Sequence, residues 1–500
     1  MLAELARHKM RSPGALAIRS GTPSGWTDTT WAELYEDTQS VSMHAPRLRG
    51  HGPVVVIVDN TAASAATILG LATAGVDVLL VEENSSYLAD PGSVVHHIGA
   101  ATVVGPAVAL RDLPAAMDRL PYEECRARAK TRPPAGSPEG EILQLTSGST
   151  GEPRAARHPL RNIRYGGYTY QRVFGLASTD EIFAAVPLAH SFGLVGGLAA
   201  SVVSGARLWT LPRFGIRSVL SGLREGATTL LGTPLVYQLL ASALRAERGF
   251  PGLRTALSSG GPLPQHLAAE VSTGLSARVR QVYGSTEAGL IAYQPDSGEP
   301  WPPGSVGVAA PDVQLRIEPC PPGISSDDGS IGLTHGAVTG QLVVRSPTLF
   351  AGYLGAQDPR NRADGSYATG DLARIDDRGR LYLAGRKETF VNVGGRKVSP
   401  RRIERILSGF HGLRDVFVYA AMAPDQEQRL HAAVVLEPTV RAEDVIDFCR
   451  SRHLAPYEVP HHVHVLDGLP YTGMGKVDRR RVIAATTGPD TGIAQDAGVD

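Results

Sequence analysis

Cysteine is scarce: the 500 residues hold three, Cys125, Cys320 and Cys449. They stand far apart, in neither a metal-ligand spacing nor a disulfide-dense pattern, which argues against a structural zinc and for a reducing compartment. An excess of one charge is missing as well. Lys plus Arg and Asp plus Glu each number 49, which removes any global attraction to nucleic acid or to an anionic membrane surface. A nucleotide would have to be gripped by a local site. Long apolar runs are also lacking. The stretch from Thr67 to Val81 is broken by Gly70, Gly75 and Asp77 and falls short of the roughly 20 residues of a membrane span. The first residues, MLAELARHKMRSPG, contain no apolar core of signal-peptide length. These absences predict a cytoplasmic location with neither nucleic acid nor membrane as partner. No internal repeat is visible, and nothing fixes an oligomeric state.

What is present begins with alternation. Val54 to Val58 is a β-branched run, followed by an Ala-rich segment from Ala62 to Ala74 and another apolar run from Val76 to Val81. This strand, helix, strand rhythm predicts α/β layers. It recurs at Ile182 to Val186, Ala227 to Leu231 and Leu253 to Ser258, so a mostly parallel sheet covered by helices is expected for about the first 380 residues. Arg132 to Glu139 and Pro321 to Ser330 read as surface loops. After Tyr382 the character changes. Ser399-Pro400 can start a helix with Ile403, Ile406 and Leu407 on one face, and β-rich segments follow at Val416 to Ala420 and Ala432 to Leu436. The expected fold class is therefore α/β, a large N-terminal domain of layered sheets and helices with a small α+β C-terminal domain.

The sharpest local signal runs from Leu145 through Thr146, Ser147, Gly148, Ser149, Thr150, Gly151, Glu152 and Pro153 to Arg154, directly after an apolar strand. Glycines let the backbone turn N–H groups inward, and four hydroxyls add donors, a composition suited to wrapping a triphosphate. Alone it could equally be a flexible Ser/Gly linker; its place after a buried strand tips the balance. It matches neither the Gly-Lys-Ser/Thr P-loop nor the dinucleotide fingerprint.

The segment resembles the phosphate loop of the adenylate-forming superfamily of acyl-CoA synthetases, nonribosomal-peptide adenylation domains and luciferases. Five further segments resemble that superfamily's motifs in the same order. Pro187 to Gly193 (PLAHSFG) resembles the motif whose histidine, here His190, borders the acyl pocket. Tyr283, Gly284, Ser285, Thr286 and Glu287, followed by Ala288-Gly289, resemble the adenylate-binding motif. Tyr367 to Asp371 resembles the ribose-binding one. Gly385-Arg386-Lys387-Glu388 and then Gly394-Gly395-Arg396-Lys397 resemble the interdomain hinge and the loop after it. Pro470 to Asp478 resembles the segment carrying the catalytic lysine, here Lys476.

The resemblance implies a division into residues 1–384 (nucleotide and acyl pocket), a hinge at 385–388 and a mobile lid domain at 389–482, while the polar, Gly-containing, aperiodic end of the chain predicts a disordered tail at 483–500. It implies ATP, Mg²⁺ and coenzyme A, or a phosphopantetheine on an acyl carrier protein, as cofactors and partners of a small carboxylic acid substrate. A carboxylate attacking the α-phosphate of ATP brings two anions together, so cations and oriented donors are needed. Glu287 suits a Mg²⁺ ligand, and Asp371 can accept from both ribose hydroxyls. Lys476 would carry charge to the acyl carboxylate and α-phosphate, with Thr146 and His190 alongside it as catalytic residues. Arg386 would contact ribose or phosphate, Glu388 would be the pivot, and Gly394, Gly395 and Lys397 would border the thiol tunnel. Gly260 and Gly261, within Ser258 to Pro262, would line the acyl and adenylate pocket.

Two departures stand out. The superfamily's phosphate loop usually ends Pro-Lys-Gly, and here it ends Pro153-Arg154-Ala155; at the pivot, glutamate replaces the usual aspartate or lysine. Ser191 to Ala200 (SFGLVGGLAA) contains no acidic residue to pair with a substrate ammonium, which disfavours an α-amino acid and suits an aryl or aliphatic acid.

Overall fold

The computed structural model describes residues 1–83, 85–89, 93–111, 113, 117–126, 138–146, 154–244, 249–298, 301–319, 339–386, 391–393, 396–398, 400–422, 428–452, 454, 458–472 and 477–486. Contacts divide the chain into two compact units. One comprises Met1–Ile317, Leu342–Thr369 and Ile375–Tyr382; the other comprises Glu318–Gln341, Gly370–Arg374 and Leu383–Asp500.

The first unit holds a six-stranded sheet in the order Asp118–Pro121, Thr102–Gly105, Val54–Val58, Val78–Glu82, Glu141–Thr146, Arg154–Pro159. All neighbours are parallel except the last pair. Every residue of Val54–Val58 is buried, as a continuous apolar run should be when helices cover both faces of a parallel sheet. The helix Ala62–Thr73 begins where Thr61 and Ser64 cap each other. Its residues Ser64 to Ala72 are all buried, which explains why the run shows no polar face.

A larger sheet has a parallel centre, Val279–Ser285, Thr255–Ser258, Thr229–Gly232, Glu181–Ala184, Arg207–Thr210 and Leu16–Thr22 in spatial order. The expected strands near 182, 229 and 255 are all present. An antiparallel flank, Gly289–Tyr293 and then Ser305–Ala309, continues the sheet, which is mostly parallel at its centre, as expected. A tight turn sets its first strand: Ser285 pairs with Gly289 across a three-residue reversal, leaving no room for a helical crossover.

In the second unit a three-stranded sheet orders Leu413–Met422, Gln428–Leu436 and His462–Val465. Alternation along the central strand sends Leu430, Ala432 and Val434 to one face, against Ile403, Leu407, Val445 and Cys449 of the helices Pro400–Leu407 and Ala442–Ser451. Ala433 and Val435 face the other way, toward Leu469, Tyr471, Val477 and Val482. The helix Arg479–Thr486 corrects one sequence boundary. Val482 and Thr486 are buried and the Tyr419 and Thr486 hydroxyls share a hydrogen bond of 2.7 Å, so ordered packing runs past residue 483. Cys125 and Cys449 are buried free thiols, and burial raises the pKa of both. Cys320 and the loop at Pro321 to Ser330 lie outside the described residues, as does most of Arg132 to Glu139. No described helix is long and apolar enough to cross a membrane.

Candidate active site

Parallel strands leave their carboxyl ends on one edge of the sheet, and a crevice opens where neighbouring strands send the chain in opposite directions. Val78–Glu82 and Glu141–Thr146 are such neighbours. The chain leaves the first toward Thr102–Gly105 and the second toward Arg154–Pro159, on opposite sides. Glu82, Gln144 and Thr146 therefore stand at one crevice.

His190 is held over it. Its Nε2 lies 2.6 Å from Glu82 Oε1, and both side chains are about one-third exposed, at 32% and 31%. Gln144 brackets the same segment from both ends: its amide donates to the Ala189 carbonyl at 2.8 Å and accepts from the Ser191 hydroxyl at 2.7 Å. Asn60, at φ +59°, accepts from Leu188 N at 2.8 Å and donates to the Leu211 carbonyl at 3.2 Å. The sequence reading missed Glu82, Gln144 and Asn60. Glu82 closes one apolar strand and Asn60 follows another, whereas Gln144 is a polar residue inside the strand Glu141–Thr146.

The glycine-rich stretch after His190 is closely packed. Phe192–Ala199 forms a π-helix whose residues are all buried. A Cβ on Gly193 would sit 2.2 Å from the Pro187 carbonyl oxygen, and one on Gly196 2.9 Å from the Tyr170 ring. Those glycines admit close packing of loop and helix; they do not by themselves open pocket space.

Thr146 pairs with Arg154 in the antiparallel register, and its hydroxyl donates to the Arg154 carbonyl at 3.4 Å. The two ends of the candidate phosphate loop are thus tied together. Ser147, Gly148, Ser149, Thr150 and Gly151 lie outside the described residues. Gly260, at φ +92°, and Gly261 follow the buried strand Thr255–Ser258, and Ser259 N donates to Gly232 O at 3.1 Å.

Tyr283, Gly284 and Ser285 end the strand Val279–Ser285, with Glu287 in the turn beyond. Gly284 is required there, because a Cβ would lie 2.4 Å from the Gly289 carbonyl. The turn is pinned from outside: Phe350 N donates to Glu287 O at 2.8 Å, and the Thr348 hydroxyl donates to Ala288 O at 2.7 Å. Within it, the Ser285 hydroxyl accepts from Ala288 N at 3.1 Å, across Thr286. The Glu287 carboxylate accepts from the Tyr353 hydroxyl at 2.5 Å. Burial first, then the charge of Glu287, pushes the Tyr353 phenol pKa upward, so it stays protonated and able to donate.

Arg154 joins this group from the loop end. Its guanidinium carbon lies 4.0 Å from the Tyr353 ring centroid, and its Nη1 is 3.2 Å from Asp358 Oδ2. Burial alone would raise the Asp358 pKa, but hydrogen bonds and charge from Arg360, with the charge of Arg154, hold it below the usual carboxylate range.

His158, on the strand Arg154–Pro159, is 3% exposed, and its Nε2 has no hydrogen-bond partner among the described residues. Burial lowers its pKa from 6.5 to about 4, against the opposing pull of Glu287. The unfolded chain therefore binds more protons between those values. Stability present above pH 6.5 is lost as pH falls toward 4, on the order of 3 kcal/mol for so buried a ring. Urea midpoints should drop across this window, and His158→Leu should flatten the drop; an unchanged slope in the variant would remove His158 as its source.

In the second unit, Asp371 is buried at 7% exposure within the strand Tyr367–Ile375. Arg386 closes the strand Arg380–Arg386, and Lys397 lies opposite Asn392 in a two-stranded ribbon. Lys387, Glu388, Gly394, Gly395 and Lys476 lie outside the described residues. The flanks of Lys476 do not: Tyr471 and Val477 form an antiparallel bridge, and Asp478 N donates to Pro470 O at 2.8 Å.

Residues 5–354 match the family model for AMP-binding enzymes, and residues 402–476 match the AMP-binding enzyme C-terminal domain. A feruloyl-CoA synthase from an Amycolatopsis species is 29% identical over 498 residues, covering 94% of this chain and 96% of that one. The medium-chain fatty-acid–CoA ligase of Escherichia coli K12 is 30% identical over 345 residues, covering 67% of this chain and 59% of that one. The crystal structure of ATP-bound MatB from Rhodopseudomonas palustris shares the fold, with a TM-score of 0.79, 24% identity and coverage of 97% and 98%.

Proposed function

The chain belongs to the AMP-binding enzyme family, and on that premise we propose that it is an ATP-dependent acid–thiol ligase. It activates an aryl or aliphatic carboxylic acid as the acyl-AMP with release of pyrophosphate, then passes the acyl group to the thiol of coenzyme A. The observation that carries this reading is the Tyr353 ring, which joins the end of the phosphate-loop hairpin, through Arg154, to the Glu287 carboxylate. Relatives named for aromatic and for aliphatic acids support the breadth of the substrate class.

The residues fit a nucleotide-borne magnesium. That ion takes few protein ligands beside phosphate oxygens and retained waters. Glu287 is a single carboxylate with Oε1 held by a phenol, and among the described residues no three His, Cys, Asp or Glu gather into a metal cluster. Glu287 would hold Mg²⁺, and the bound ion supplies charge neutralisation at the phosphates. Thr146 to Gly151 wrap the phosphates, while Tyr283 to Thr286, with Gly260 and Gly261, hold the adenylate. Asp371 takes the ribose, and Arg386 lies against ribose or phosphate. Lys476 serves adenylation, and Glu388 is the pivot between half-reactions. Gly394, Gly395 and Lys397 border the pantetheine path. His190 borders the acyl pocket, and the Glu82 carboxylate beside it is already paired with the imidazole, so it is not a free partner for a substrate ammonium.

A panel of aryl and aliphatic acids, scored for acid-dependent pyrophosphate release with and without CoA, tests the reading. The expected result is AMP release with saturable consumption of free CoA for at least one acid. Robust pyrophosphate release with no CoA thioester, but with acylation of a phosphopantetheinylated carrier protein, would move the acceptor to that protein. Absence of acid-dependent release across the panel would overturn the reading.

A further inference from the structure

Arg154 stands where the family's phosphate loop usually has lysine, and its surroundings explain a preference for the guanidinium. A planar fork can lay its face on an aromatic ring while an edge N–H donates to a carboxylate; an ammonium on a flexible stem does not present both surfaces at once. Arg154 does both, with its guanidinium over the Tyr353 ring at 4.0 Å and Nη1 on Asp358 at 3.2 Å. The Asp358 side chain is only 2% exposed, and a carboxylate so buried needs its cationic partners. It has two, since Arg360 donates to it through Nε at 3.0 Å and Nη2 at 2.7 Å. Arg360 Nη2 also lies 3.4 Å from the Tyr353 hydroxyl, and Phe350 packs edge-on against the same ring at 4.9 Å. Tyr353 is thus held on one face by Arg154, by a T-shaped contact with Phe350 and at its hydroxyl by Arg360. The constrained hydroxyl donates to Glu287 Oε1.

We propose that Arg154 is a positioning residue for the metal-binding carboxylate: clamped by Asp358, it fixes Tyr353, and Tyr353 orients Glu287. The proposal rests on the adenylate-forming reading above for the role of Glu287. In this arrangement the charge of Arg154 is compensated within the protein, and its influence on ATP passes through the metal. The competing role is direct phosphate contact, since the Arg154 side chain is still about a quarter exposed, at 26%, and its guanidinium has N–H groups besides the one on Asp358.

Calorimetric binding of ATP to the full chain, in EDTA and across a Mg²⁺ titration, separates the two and requires neither acid nor CoA. Tyr353→Phe keeps the ring and removes the hydroxyl. It should raise the Mg²⁺ concentration for half-maximal tightening of ATP binding about tenfold, while ATP affinity in EDTA changes less than about twofold. Arg154→Ala should act in the same sense, by about fivefold. In the Tyr353→Phe background, Arg154→Ala should add less than about twofold, because its effect runs through the absent hydroxyl. Thermal unfolding of each variant identifies loss of fold, and the conservative Tyr353→Phe retains the packing if Arg154→Ala does not. Multiplicative effects in the double variant, or a large loss of ATP affinity in EDTA for Arg154→Ala, would overturn the proposal in favour of direct phosphate contact. An unchanged Mg²⁺ dependence in Tyr353→Phe would overturn it outright. Failure of the ligase reading shows separately, as metal-dependent ATP binding without acid-dependent pyrophosphate release.

Discussion

Lys476→Ala is expected to lower acid-dependent pyrophosphate release by about a thousandfold or more, roughly 4 kcal/mol of transition-state stabilisation. Thioester formation from presynthesised acyl-AMP should stay within about threefold of the wild type. The asymmetry follows from the chemistry. Adenylation brings a carboxylate against the α-phosphate, and negative charge must be met by a cation at that point. Transfer from acyl-AMP to a thiol begins after that repulsion has been overcome. The variant should fold, because the flanks of position 476 are secured without the lysine. Tyr471 bridges Val477, and both pack beside Leu469 and Val482 on the Tyr419, Ala433 and Val435 face of the small sheet. Half-reaction assays decide the matter: near-normal adenylation by the variant would sink the assignment of Lys476, and equal loss of both steps with a lowered melting temperature would make its role structural.

Glu388→Pro should produce the opposite pattern. Proline fixes φ near −65° and removes an N–H, so a residue whose dihedrals must change between two half-reactions becomes restricted while one conformation stays accessible. Thioester formation from acyl-AMP should fall about a hundredfold and acid-dependent pyrophosphate release should change less than about threefold. Glu388→Ala, which leaves φ free, should restore transfer. A proline variant that loses both steps equally would show that position 388 supports structure and does not serve as a pivot.

Much of the fold was legible because its signals are local. Val54–Val58 is apolar at every position since both faces of a parallel strand are covered, and the alternation in Gln428–Leu436 follows from the two-residue repeat of a strand. Thr61 can cap Ala62–Thr73 because its partner Ser64 is three residues away. The antiparallel flank after Val279–Ser285 was less legible. Its turn is set by the φ +68° of Gly289 and by Thr348 from a distant segment, not by a periodicity.

The chemistry divides along the same line. The residue types from Thr146 to Arg154 suggested a phosphate cradle, because backbone freedom, hydroxyls and charge are properties of short segments; the adenylate-forming reading, with Glu287, Asp371, Lys476 and His190 in it, came from the resemblance of ordered motifs. Only the tertiary structure decided which groups those residues answer to. Glu82 meets His190 across 108 positions, and Arg154 meets Asp358 across 204. Such pairings depend on strand order and crossover, which bring the carboxyl ends of separate strands to one crevice, and no local pattern encodes them. A charged side chain carries the same chemistry wherever it stands in the sequence, but whether it grips a ligand or holds another residue in place depends on the neighbours that the fold supplies.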